Sequence, residues 1–93
     1  MRIIGEIPHP ELKISIFKTG ERISVKFENA QYEQTFKLGT DERFQNAENI
    51  QKWADNALTE QVLSNFRMMH TARMAATQRA FPVSEEQVFE VII

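Results

Sequence analysis

Three features of the chain predict an α+β domain. The first forty residues alternate apolar and polar side chains between turn signals, as strands with one buried face do. Residues 46–81 then hold neither glycine nor proline and repeat apolar side chains every three or four positions, as an amphipathic helix does. The closing residues, rich in Val and Ile, form a short separate element. The expected architecture is a single domain over residues 1–93. It comprises a four-stranded antiparallel β-meander (1–39), one long helix packed on the sheet (46–81) and a terminal element (84–93).

In the first strand Met1, Ile3 and Ile7 share one parity, and Pro8-His9-Pro10 ends it. Leu12, Ile14 and Ile16 alternate with Lys13, Ser15 and Phe17 in the second. Thr19-Gly20 reads as a two-residue turn, with glycine free to adopt positive φ. Ile23, Val25 and Phe27 alternate with Arg22, Ser24 and Lys26, Asn29-Ala30 reads as the next turn, and Tyr32, Gln34, Phe36 and Leu38 follow. These turns set Ile16 against Ile23, Ile14 against Val25, Leu12 against Phe27 and Lys26 against Glu33. Apolar then meets apolar on one face, and a one-residue slip would destroy that match.

Asn46 is suited to cap the helix, and Glu48 to complement the positive end of its dipole. Ile50, Ala54, Leu58, Val62, Phe66, Met69, Ala72, Ala76 and Ala80 form a stripe that should cover the sheet. Phe27, Phe36, Trp53 and Phe66 are expected to be buried between the two layers. A second row, Leu63, Arg67, His70, Met74 and Phe81, lies more than about 100° round the helix, beyond the reach of the same sheet. One straight helix over 46–81 would reach roughly 50 Å, against roughly 23 Å for the strands. Such a helix overhangs and packs on another chain, or it breaks. Asp55-Asn56-Ala57-Leu58-Thr59 is the weakest helix-forming stretch and the place for a break. Near the end, Ser84 and Gln87 fit a capping box with Val83 and Val88 as its staple. That favours a short helix over a strand, although Val88-Phe89-Glu90-Val91-Ile92-Ile93 is rich in strand formers.

The chemistry-bearing residues point away from catalysis. There are no cysteines, which removes disulfides, thiolate nucleophiles and cysteine-based zinc sites. His9 sits between prolines with no orienting acid beside it, and His70 has Phe66 and Met74 where a second helical metal ligand would stand. Asp41-Glu42 and Glu85-Glu86 read as dipole complements near helix starts, and Gly39-Thr40 lacks a phosphate-loop pattern. No catalytic, cofactor-binding or metal-binding residue is assigned. The first residues, Met1-Arg2-Ile3-Ile4-Gly5-Glu6, hold only a short apolar run cut by a charge, so no signal peptide is expected, and no run approaches the ~20 apolar residues of a membrane span. A cytoplasmic protein without membrane contact is expected.

Two surfaces remain. The helix row Leu63, Arg67, His70, Met74 and Phe81 fits an interface between copies of the chain. Residues 61–83 contain no acid but carry Arg67, Arg73 and Arg79, whereas residues 41–60 hold Asp41, Glu42, Glu48, Asp55 and Glu60 against Arg43 and Lys52. This asymmetry matches the helix dipole, or it lets antiparallel helices pair acidic half with basic half. The outer sheet face displays Lys13, Phe17, Arg22, Lys26 and Lys37, with Arg2, against Glu6, Glu28 and Glu33. A basic face with an aromatic suits single-stranded nucleic acid, although the net charge of −2 argues against general polyanion binding.

The leading expectation is a non-enzymatic interaction module whose partner is a second copy, in a dimer through the long helix, or another protein. The alternative is single-stranded nucleic-acid binding by the outer sheet face. The order of four meander strands and one helix, over residues 1 to about 80, is similar to that of the single-strand-binding modules of the Whirly and PUR type. The resemblance is one of topology and implies no residue roles.

Overall fold

Alternating side chains and short turns produce the sheet. In the computed structural model, which describes residues 1–82, β1 (Arg2–Ile7), β2 (Lys13–Thr19), β3 (Arg22–Glu28) and β4 (Glu33–Gly39) pair antiparallel in chain order. A 3-10 turn (Glu42–Phe44), a short helix α1 (Ala47–Trp53) and a long helix α2 (Asn56–Ala80) follow. The expected α+β meander with a long helix is therefore present. The terminal element expected at 84–93, with its Ser84 cap and its staple, lies outside the described residues.

Both hairpins are displaced by two residues from the expected register. Ile16 lies opposite Val25, Ile14 opposite Phe27 and Lys18 opposite Ile23, so the β2–β3 turn is Gly20-Glu21. The reason lies in Gly20, whose φ of 60° suits the first central position of a tight hairpin turn. Between β3 and β4 the loop is longer than expected, because Asn29 organises it. Its Oδ1 accepts from the backbone N–H groups of Gln31 and Tyr32, and its own N–H donates to the Tyr32 carbonyl. Val25 then faces Phe36, and Lys26 faces Thr35 instead of Glu33. A slip of two preserves parity, so the buried face survives the error.

The parity of β1 is another matter. Ile3 pairs with Phe17 and Gly5 with Ile16, leaving Ile4 as a bulge. Gly5 and Ile7 keep the parity of the core face, whereas Ile3 joins Phe17 on the outer face. Arg2, expected outside, lies opposite Lys18.

The long helix is broken where its propensity is weakest. Ala54 ends α1, and Asp55 caps α2 by accepting from the Leu58 N–H. Asn46 caps α1 as expected, through the Glu48 N–H. The break lets α1 drop Ile50 and Ala54 into the core before α2 sets off across the sheet.

The core holds Leu12, Ile14, Ile16, Ile23, Val25 and Phe27 from the sheet against Ile50, Ala54, Val62 and Phe66. Phe36 and Trp53, expected to be buried, are half-buried. They form an aromatic cluster in which the Trp53 ring lies 5.3 Å from Phe36, 5.8 Å from Phe44 and 6.3 Å from Phe27. Phe44, on the 3-10 turn, closes this cluster.

Candidate interaction site

Two relationships decide which parts of α2 are committed to its own sheet. Val62 and Phe66 are buried, and no residue of α2 after Phe66 is buried. From there the helix runs on through Ala80, about 21 Å further at 1.5 Å per residue. The stripe residues Met69, Ala72, Ala76 and Ala80, expected to cover the sheet, are exposed instead. The sheet is simply too short: the break costs α2 only its first turns, and 25 residues still span about 38 Å.

The last tie between α2 and the sheet end is polar. Tyr32, from the β3–β4 loop, places its hydroxyl 2.9 Å from Nδ1 of His70, with the two rings edge-to-face at 5.9 Å. Tyr32 also packs 6.2 Å from the Phe66 ring. Leu63, Phe66, Arg67, His70 and the loop around Tyr32 thereby wall an open crevice of about 410 Å³. On the other flank of the helix an amide chain runs from Gln61 to Asn65 to Gln34, with bonds of 3.0 and 3.1 Å.

The five row residues are thus divided. Leu63 is half-buried against the core, Arg67 and His70 line the crevice, and Met74 and Phe81 stand in the overhang, 52% and 74% exposed. Met68 and Met69 are exposed nearby, 67% and 40%. Ser64, Met68, Thr71, Ala72 and Ala75 line a shallow surface on the side of α2 turned away from the sheet. Sequence reasoning separated the row from the stripe but missed the crevice, because Tyr32 enters it from a loop. The signal was Asn29, whose side chain accepts from the Gln31 and Tyr32 N–H groups and shapes the loop that carries Tyr32.

The outer sheet face gathers Lys13, Phe17, Arg22, Lys26 and Lys37 on one side, as their pairing register requires. The acids Glu6, Glu28 and Glu33 share that side. Lys26 is already engaged: its Nζ lies 5.3 Å from the centre of the Phe17 ring and 3.5 Å from Glu28 Oε1. The expected neutralisation of Lys26 by Glu33 is replaced by Glu28, two residues along the same strand, because the register moved. Ser15 is fully buried on this face, and its Oγ has no hydrogen-bond partner among the described residues.

Ionic chemistry is sparse. Arg43 holds the Asp41 carboxyl down at about 2, through side-chain and backbone hydrogen bonds. Asp41 in turn raises the pKa of Arg43. No group of three or more His, Asp or Glu among the described residues could hold a metal ion. No helix among them is long and apolar enough to cross a membrane. Comparison of the chain with protein-family models, curated proteins and solved structures found no match. Residue chemistry alone therefore carries the functional reading.

Proposed function

We propose that the chain is a non-enzymatic interaction module that works as a homodimer through α2. The observation that carries this reading is the overhang. After Phe66 the helix buries nothing of its own, yet it continues to Ala80 with Met68, Met69, Met74 and Phe81 exposed around it. A helical segment of that length is marginal in water unless something covers its apolar side. A second copy brings an identical apolar surface and closes the assembly with two-fold symmetry. Light scattering over a range of concentrations tests it. The mass should rise from 10.8 kDa toward twice that value at micromolar concentration. A constant monomer mass overturns the reading.

A second reading assigns the outer sheet face to single-stranded nucleic acid. It is favoured by the placing of Lys13, Phe17, Arg22, Lys26 and Lys37 on one face, with Ile3 added beside Phe17. It ranks second because Lys26 already covers the Phe17 ring and three acids share the face. A salt-dependent mobility shift with short single strands separates the two. Binding would weaken with a log–log slope of about −0.7 per phosphate neutralised, and Phe17→Ala would weaken it further by about 1–3 kcal/mol.

A further inference from the structure

Arg67, Met74 and Phe81 follow one another at steps of seven along one side of α2 and its C-cap, the repeat of a two-helix seam. One end of this seam is a crevice and the other is a bare aromatic ring. We propose that α2 pairs antiparallel with α2 of a second copy, and that Phe81 of each copy fills the Tyr32–His70 crevice of the other. The inference rests on the reading that α2 mediates self-association, and adds the register and the occupant of the crevice.

Three observations converge on it. The first is distance. Arg67, on the crevice wall, and Phe81 are fourteen residues apart on one helix, or about 21 Å. Phe81 is the C-cap residue of α2, tied to its last turn by its N–H, which donates to the Thr77 carbonyl at 2.8 Å. A ring held that far away cannot reach its own crevice, so an aromatic from this position arrives only from another chain.

The second is symmetry. Arg67 and Phe81 lie seven residues to either side of Met74. A two-fold axis at Met74 therefore sets Arg67 against Phe81 of the second copy, at both ends at once, and Met74 against itself. The two Arg67 side chains are separated by about 21 Å, well beyond the ~8 Å screening length at physiological salt. Arg73 and Arg79 lie on other sides of the helix.

The third is chemistry. The crevice is lined by the rings of Tyr32, Phe66 and His70, the aliphatic Leu63 and Arg67, with the polar Asn29, Gln31 and Thr71 beside them. Ring edges favour the face of an incoming ring, and a guanidinium favours the same negative face. Arg67 forms no ion pair among the described residues. Each buried phenylalanine hides about 150–250 Å². Two such anchors supply a sizeable part of the roughly 1,200–2,000 Å² that a stable dimer buries.

The test uses the full chain in two arms. In sedimentation equilibrium, Phe81→Ala should raise the dimer dissociation constant by about tenfold or more, with helix content of the monomer unchanged. In oxidative cross-linking, the absence of native cysteines gives a clean background. Met74→Cys, at the two-fold axis, should link into a covalent dimer at protein concentrations where Met68→Cys, on the other side of the helix, stays monomeric. Self-association that persists with Phe81→Ala unchanged, or with Met68→Cys linking in place of Met74→Cys, overturns this register and leaves dimerisation through α2 standing. A monomer at every concentration overturns both.

Discussion

The Tyr32 hydroxyl meets His70 Nδ1 at 2.9 Å, and this is the point at which α2 leaves the sheet. Among the described residues, those on one side of it are held by packing, and none of α2 beyond it is buried. Tyr32→Phe removes the bond and keeps the ring. It should cost about 0.5–1.5 kcal/mol in urea unfolding, toward the lower end because the pair is exposed. Amide exchange in the dilute monomer should be slow up to about Phe66 and fast from Thr71 onward. Equal protection along the whole of α2 would show that the overhang is covered within one chain.

Phe27 and Phe36 should separate by burial. Phe27 is fully enclosed, whereas Phe36 is half-exposed in the Trp53 cluster. Phe27→Ala should cost about 3–5 kcal/mol and unfold the domain or nearly so. Phe36→Ala should cost distinctly less, because part of its ring is already in water. Thermal unfolding of the two variants decides the order, and a larger loss for Phe36→Ala would contradict the assigned register.

Much of this was legible in the sequence, because parity is robust. The core residues of β2 and β3 follow from alternation alone, and an error of two residues in each turn left them inside. What escaped were features set by single residues acting through the backbone. Gly20 moved one turn by its positive φ, Asn29 lengthened the next loop, and the Ile4 bulge carried Ile3 to the outer face. The site was legible as a row on the helix, since azimuth follows from spacing. Its crevice was not, because Tyr32 reaches His70 across 38 positions of sequence.

Ser15 offers a test of the outer face. Its Oγ is buried without a partner among the described residues, an arrangement that ordinarily costs about 1–3 kcal/mol. Ser15→Ala should therefore leave stability unchanged or raise it, despite the lower strand propensity of alanine. A loss of more than about 1 kcal/mol in chemical denaturation would mean that the hydroxyl is satisfied.

Acid should loosen the segment between β4 and α1. The folded Asp41 carboxyl titrates at about 2, below its ordinary 3.8, because Arg43 holds its charged form. Its stabilising contribution is fully present above 3.8 and disappears as pH falls through about 2. In carboxyl-detected NMR, Asp41 should titrate near the lower value, and Arg43→Gln should return it toward the ordinary one. The larger part of the protein's acid sensitivity should be unaffected, since Asp41 lies at the surface.

Strand order and chain order coincide in this sheet, and that governs how the domain comes into being. Each strand pairs with the one made just before it, across a loop of only a few residues, so little chain entropy is lost at each closure. Among the described residues no strand has to be inserted between two others. Such local topology favours rapid folding. During synthesis all four strands emerge before the first residue of α1, so a complete hairpin stack awaits the helices. Among the described residues Phe66 is the last in the chain to be buried, and it closes a core that the ribosome delivered in order.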